Sequence, residues 1–338
     1  MASQARTLLR IKDVAEQAGV SPATVSRVLN ANDTVSESTR QKVAAVIEAL
    51  GYRPNRVASN LRRRQAQMIG VVVSDIENPH FTAVIRAVED AAYRKGYRVV
   101  LCNTDEQPEK QSAYLGVLAA ERVAGAIISP SEPKAPEISE LIDNGTCVVA
   151  FDRDVADHRA DAVLVANKKG ARWGTEHLLS CGHRSIGYIS GPLGVQTASE
   201  RLQGYRVAMT TARVAPLVAH GNFRIDGGAA AARQLLAAGA TALLVGNNLM
   251  AVGALRTVKD VGLRVGRDVA IVSVDDPPWA ELTDPPMTTL AQPVRAMASA
   301  AVEMLLSRLE GGRQHRRRQV FDFEWRHRHS CCPGAESG

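Results

Sequence analysis

The chain has 338 residues, 45% hydrophobic and 22% charged, a balance that supports a packed core and excludes an extended disordered polymer. No run approaches the roughly 18 apolar residues of a bilayer span, and the start, MASQARTLLRIKDVAEQ, lacks a long apolar stretch and a cleavage site, so a cytoplasmic protein without a membrane partner is expected. The whole net charge of +6 lies in residues 1–64, where eleven Lys/Arg face five Asp/Glu, so a basic amino-terminal module on a neutral body points to a polyanion partner.

In chain order, Ile11, Val14, Ala15 and Ala18 recur at helical spacing, and Gly19 stops that helix. Ser21 suits an N-cap and Pro22 the first helical position, opening a second helix to about Leu29 with Val25, Val28 and Leu29 on one face. Ser36 caps a third, with Val43, Val46, Ile47 and Leu50 on its apolar side and Gly51 at its end. Two short helices joined by a Gly-containing turn form a helix-turn-helix pattern. The stretch YRPNRVASNLRRRQAQ reads as a linker with weak helical propensity.

From Met68 onward, apolar strands alternate with amphipathic helices. The strand candidates are residues 69–74, 98–102, 125–129, 147–151, 161–165, 185–190, 242–246 and 268–274; helices are expected at 81–96 and 249–262 among others. Repeated βα units with continuously apolar strands predict parallel sheets covered by helices on both faces. The series renews after about residue 160, which predicts two doubly wound α/β subdomains with a ligand crevice at the carboxyl ends of their strands.

The five cysteines (Cys102, Cys147, Cys181, Cys331, Cys332) show no C-x-x-C and no ligand-spaced Cys/His set. Reduced structural thiols are expected, with neither a metal nor a cofactor.

The motifs IKDVAEQAGVSPATVSRVLN, VSESTRQKV, LGYRPN, IGVVVSDIENPHF, GHRSIGYISGP, ERLQGY, LMAVGAL, SVDD and PPMTTL follow one another along nearly the whole chain. In this order and spacing the sequence resembles the lactose-repressor (LacI/GalR) family of bacterial transcription regulators. The resemblance implies a small all-α helix-turn-helix headpiece over residues 1–53 and a hinge over 54–66. It further implies an effector-binding and dimerisation core over 67–338, similar to periplasmic sugar-binding proteins. Its N-subdomain would span about 67–165 plus 293–324, and its C-subdomain about 166–292 plus 325–335. It also implies a homodimer on a pseudo-palindromic double-stranded DNA operator, with a small molecule in the interdomain cleft.

By that resemblance Pro22, Ala23 and Arg27 occupy base-facing positions, while Ser21, Thr24, Ser26 and Asn30 lie near the DNA backbone. Tyr52 and Asn55, within LGYRPN, join the DNA-binding set. The residue chemistry agrees, because Arg27 alone can donate bidentately to guanine O6 and N7, whereas small hydroxyls allow close approach to phosphates. Leu61 matches the family's hinge leucine, which is inserted into the minor groove at the operator centre and favours an easily deformed step such as CG. Arg62, Arg63 and Arg64 add phosphate attraction and salt dependence. Ser59 stands where the family often has arginine.

The effector-binding positions are Ser74, His80, Phe81 and Asp152 in the first subdomain, and Thr197, Arg201, Phe223, Asn247 and Asp275 in the second. Carboxylates, an arginine, an asparagine and an aromatic wall suit a polyhydroxylated ligand; Trp279 is a candidate border. Ala124, Ala166 and Asn248 replace common aspartates, and His80 replaces a common aromatic. Fewer acidic acceptors favour a sugar acid or phosphate sugar over a neutral sugar, with a nucleobase less favoured. Asn248 is alternatively the cap of the helix that it begins.

The end, RQHRRRQVFDFEWRHRHSCCPGAESG, is read as a surface turn (313–318), a strand (319–325) and a closing segment in which Arg328 and Ser330 match the family's R-x-S; a nucleic-acid tail is the alternative. The absence of terminal leucine heptads favours a dimer over a tetramer. A ligand-responsive repressor is therefore the leading functional expectation. The alternative is a soluble sugar-binding protein with a non-functional headpiece. No nucleophile–base pair, phosphate loop or metal constellation suggests an enzyme.

Overall fold

The computed structural model describes residues 11–29, 36–50, 67–311 and 315–332, in two compact units divided between Gln65 and Ala66. In the first unit α1 (Ile11–Ala18), α2 (Pro22–Leu29) and α3 (Glu37–Leu50) enclose Val14, Ala15, Ala18, Val25 and Val43. Gly19 ends α1 with φ +61°, and the Val20 N–H then reaches back to the Ala15 carbonyl at 3.0 Å, a closure that needs the left-handed backbone glycine tolerates. Ser21 Oγ accepts from the Thr24 N–H at 3.1 Å and Ser36 Oγ from the Thr39 N–H at 3.4 Å, so both expected caps form.

The second unit holds two six-stranded sheets. The first contains β1 (Met68–Val73), β2 (Arg98–Asn103), β3 (Gly125–Ile128), β4 (Cys147–Phe151), β5 (Asp161–Val165) and, from the far end of the chain, β11 (Arg318–Phe321). Their order is β11-β5-β4-β3-β1-β2, all parallel. One face packs on α4 (Pro79–Arg94) and α11 (Val294–Leu309), the other on α5 (Pro108–Ala120) and α6 (Pro136–Asp143). Burial on both faces accounts for the unbroken apolar runs of MIGVVV and CVVAF.

The second sheet contains β6 (Ile186–Ser190), β7 (Leu217–His220), β8 (Ala242–Val245), β9 (Ala270–Val274), β10 (Thr288–Ala291) and β12 (Glu324–Arg326), ordered β12-β10-β9-β8-β6-β7. Only β12 runs antiparallel. The helices α7 (Asn167–Ser180) and α8 (Gln196–Thr211) pair on one face, and α9 (Ile225–Ala237) and α10 (Asn248–Asp260) on the other. The chain passes between the two halves after β5, after β10 and after β11.

Three expectations need correction. The single strand expected over 319–325 is two strands in different sheets, β11 and β12, separated by Asp322 and Phe323. Phe323 is buried against Gly170, where a Cβ would stand 2.3 Å from its ring. The strands β7 and β10 were not expected at all. The cysteines are not all free thiols, because Cys181 on the turn after α7 is disulfide-bonded to Cys332, with Cα atoms 5.5 Å apart. A separation of 151 residues hid that pairing in the sequence.

Asp161, fully buried at the start of β5, receives Arg308 from α11 at 2.6 and 2.9 Å and Arg317 before β11 at 2.6 and 3.0 Å. One carboxylate thus fastens the last helix and the returning strand to the first sheet. Arg328 and Ser330 act similarly in the second half. Arg328 pairs with Asp276 at 2.7 Å and Glu281 at 3.0 Å, and Ser330 Oγ donates to the Ile271 carbonyl at 2.6 Å. Among the described residues no helix is long and apolar enough to cross a membrane.

Candidate functional site

The carboxyl ends of the two sheets face each other across a polar cavity. The first half supplies Asp75, Asn78, His80 and Phe81 from the β1–α4 connection, Glu106 after β2, and Asp152 and Arg153 after β4. The second supplies Thr197 and Arg201 from the first turns of α8, Asn222, Phe223 and Arg224 after β7, Asn247 after β8, Asp275 after β9 and Gln292 after β10. Parallel strands place their following loops at one end, so residues distant in sequence converge there.

Backbone strain is concentrated at this end. Seven non-glycine residues among those described have positive φ, and four of them, Glu106, Asp152, Phe223 and Asp275, line the cavity. Such conformations cost about 1–3 kcal/mol each and persist where the surroundings hold them. Phe223 is held by contact with Gly191, where any Cβ would stand 2.2 Å from the ring.

Of the nine expected effector residues, the structure brings eight to the cavity lining. Ser74 is the exception: it is fully buried at the end of β1, with its hydroxyl 3.4 Å from that of Ser129. Trp279 is partly buried against the hydrophobic core of the second half and does not line the cavity. The alternative of Asn248 as a cap is also corrected. Asn247 caps α10, accepting from the Met250 N–H at 2.9 Å, while its amide donates to the Phe223 carbonyl at 2.9 Å. Asn248 instead donates across the cleft to Asn78 Oδ1 at 2.8 Å and approaches Asp275 Oδ2 at 3.4 Å.

Charge is unevenly compensated. Arg153, 4% exposed, makes a two-pronged pair with Glu106 at 2.5 and 2.6 Å and lies 3.7 Å from Asp152. Burial pushes the Asp75 carboxyl above its usual range, against the Glu77 N–H and Arg224, which lies 4.0 Å away. Arg201 is also 4% exposed, but its hydrogen bonds go to neutral oxygens, Asn167 Oδ1 and the Gly246 carbonyl, both at 2.7 Å. No carboxylate pairs with it among the described residues. Three further lining atoms, His80 Nε2, Arg153 Nε and Gln292 Oε1, are buried without a hydrogen-bond partner among the described residues. Buried polar atoms in that state cost about 1–3 kcal/mol each.

The residues Glu106, Arg153 and Gln292, with Asn78, were missed by sequence reasoning. The stretch FDRD (151–154) displayed Arg153 beside the expected Asp152, but its partner Glu106 lies 47 residues away. Asp275 is held by Gln292 Nε2 at 2.8 Å, and His80 Nδ1 stands 3.8 Å from it across the cleft. With Asp154 N–H donating to Gln196 at 2.9 Å, the halves are drawn together and the cavity has a volume of about 40 Å³. That is well below the roughly 300–1,000 Å³ of ordinary ligand pockets.

In the amino-terminal unit, Ser21 and Pro22 are exposed at the start of α2 and Thr24 is partly exposed, its hydroxyl 2.9 Å from that of Ser21. Residues 23, 26 and 27 lie on α2. Asn30, Tyr52, Asn55 and Leu61 lie outside the described residues.

A helix-turn-helix unit and a two-sheet core with a polar cavity at its strand ends, carried by one chain, define a ligand-binding DNA regulator. Residues 10–55 match the model of bacterial regulatory proteins of the lacI family, and residues 175–331 that of the periplasmic binding protein-like domain. The chain is 37% identical to the ribose operon repressor of Halalkalibacterium halodurans, over 89% of this chain and 90% of that one. It is 34% identical to the HTH-type transcriptional repressor PurR of Vibrio atlanticus, over 93% and 95%. Among solved structures, the lac repressor dimer bound to operator and the anti-inducer ONPF superposes with a TM-score of 0.84 at 31% identity, covering 96% of this chain and all of that one. The chain belongs to the lacI family of bacterial regulatory proteins; it is a transcriptional regulator and not an enzyme.

Proposed function

We propose that the protein is a ligand-controlled repressor that binds a pseudo-palindromic operator as a homodimer and takes a sugar-like effector in the cleft of its core. The observation that carries the effector reading is the gathering of incompletely satisfied polar groups at one cavity: among the described residues the guanidinium of Arg201 has no carboxylate partner, and His80 Nε2 and Gln292 Oε1 have no hydrogen-bond partner. A ligand rich in hydroxyls satisfies donors and acceptors together, and Phe223 offers it an apolar face. An acidic group on the ligand, as in a sugar acid or phosphate sugar, would in addition pair with Arg201. The names of the relatives agree, one being a ribose operon repressor and one a structure with operator and small molecule bound together.

On the DNA side, Arg27 reads one guanine per half-site and Leu61 tests how readily the operator centre bends. Selecting operators from a random duplex pool, then measuring affinity by fluorescence anisotropy with a panel of neutral sugars, sugar acids, phosphate sugars and nucleobases, tests the reading. A palindromic consensus whose affinity shifts with one sugar-like compound is the expected result. Arg27→Ala should relax one base position in each half-site, by about 1–3 kcal/mol, and Leu61→Ala should weaken only the central preference. Failure to enrich any palindrome in any ligand state would sink the repressor reading.

A further inference from the structure

A second polar cluster lies outside the effector cavity, where α7 meets the end of the chain. His177 and Cys181 are one helical turn apart, and His327, Cys331 and Cys332 follow β12. The side-chain ligand atoms of His177, His327, Cys331 and Cys332 all lie within 4.8 Å of one another. His177 Nε2 stands 3.1 Å from Cys331 Sγ and 3.6 Å from the Sγ atoms of both Cys181 and Cys332. Along the sequence these residues formed no ligand-spaced set. The spacing H-x-x-x-C occurs twice, at 177–181 and 327–331, but only the fold brings the two copies together.

We propose that, once the Cys181–Cys332 bond is reduced, this cluster binds one soft divalent cation of the zinc class through His177, His327, Cys331 and Cys332. Two thiolates and two imidazoles form the tetrahedral donor set of structural zinc, with metal–ligand distances of about 2.0–2.3 Å. The set contains no carboxylate, which argues against calcium or magnesium. Cys331 is fully buried, within 3.2 Å of Thr288 Oγ1, and Cys332 and His177 are partly buried, while exposed His327 leaves a route for the ion. A bound cation would clamp the closing segment onto α7, beside the Arg328 and Ser330 contacts that already hold it.

Metal and disulfide are alternatives, because both use the Cys332 sulfur. A cellular thiol reductant delivers two electrons and two protons to the S–S bond, itself becoming a disulfide, and leaves two thiols. Metal binding then expels the protons of the two ligating thiols.

The test is titration of the full chain, reduced with a phosphine under anaerobic conditions, with cobalt(II) followed by zinc. The expected result is one cobalt per chain with thiolate-to-cobalt absorbance, displaced by zinc. Tryptophan fluorescence should change as well, because the Trp325 ring centroid lies 4.7 Å from that of His177. Cys181→Ser removes the competing disulfide and keeps all four ligands, so it should bind without reductant. His327→Ala, at an exposed position, and Cys332→Ser should each weaken binding at least about tenfold, whereas Cys102→Ser in the first sheet should not. Absence of the cobalt absorbance in the reduced chain, or undiminished affinity in either ligand variant, would overturn the proposal.

Discussion

Arg201 stands at the start of α8 with its charge desolvated and both described hydrogen bonds made to neutral oxygens. A guanidinium in that state is costly unless a partner arrives, so much of its value belongs to the ligand-bound form. Arg201→Gln should weaken binding of the effector identified in the screen about 10- to 100-fold, since charge-assisted hydrogen bonds contribute about 1.5–3 kcal/mol. Operator binding without effector should persist. Calorimetric titration reads the first effect and anisotropy the second; an unchanged effector affinity would remove Arg201 from the site. Asp161 is the opposite case, a buried charge whose partners are already in place. Burial would raise its carboxyl, but Arg308 and Arg317 prevail and hold it below the usual range. Its folded value lying below its unfolded value, the unfolded chain binds the extra proton. The stabilisation is therefore complete above about pH 4 and is lost as pH falls through the folded value. Asp161→Asn should cost about 3 kcal/mol at neutral pH and flatten this part of the acid limb, as read by urea melts at a series of pH values. A variant with wild-type stability and an unchanged acid limb would contradict this account.

At the scale of elements, two glycines set how closely helices pack in the second half. A Cβ on Gly204 of α8 would stand 2.1 Å from the Lys168 carbonyl oxygen of α7, and one on Gly253 of α10 would stand 2.1 Å from the Ile225 carbonyl oxygen of α9. Backbone cannot yield as a side-chain tip can, so Gly204→Ala must push α7 and α8 apart. The expected cost is about 1–3 kcal/mol, visible as a lower denaturation midpoint. Because α8 carries Thr197 and Arg201, weaker effector binding should accompany it; a variant as stable as the wild type would show that the helices have slack. Both glycines sit within motifs that were visible in the sequence, LQGY and VGAL, although the contact that requires them was not. The same division runs through the fold. Strands β1, β4, β5 and β9 announced themselves as largely apolar runs, because both faces of each are buried. Strand β10 begins with two threonines and β7 ends in histidine, each only four residues long, too short and too mixed for periodicity to speak. In the cavity, Asp152 was legible directly after a recognisable strand, and Arg201 and Asp275 within the motifs ERLQGY and SVDD that carry the family resemblance. Glu106, Arg153 and Gln292 were not, since their roles lie in pairings that exist only after folding.

At the scale of the whole second unit, the two halves meet across the cleft, and the cavity of about 40 Å³ enclosed between them is smaller than a sugar. On the proposed function, occupation of that cavity by a sugar-like effector requires the halves to part about the three passages of chain that connect them. Asn248 is the residue best placed to test that coupling, because its amide donates to Asn78 of the other half at 2.8 Å and approaches Asp275 Oδ2 at 3.4 Å. The substitution Asn248→Asp exchanges the donor for a carboxylate oxygen facing two acceptors, one of them another carboxylate. Like charges at that separation in a desolvated site repel strongly, so the closed arrangement should lose population to the open one. The cavity lining itself remains, with Arg201 and Phe223 untouched. Small-angle X-ray scattering of the variant should therefore give a larger radius of gyration than the wild type, with no loss of helix or strand signal. An effector that binds the closed form should bind more weakly, by the factor that closure has become less populated. Operator affinity must then move in the direction opposite to the one the effector drives, because the effector and the substitution push the same equilibrium from opposite sides. An unchanged scattering profile together with unchanged effector affinity would mean that the Asn248–Asn78 contact does not help to hold the halves closed.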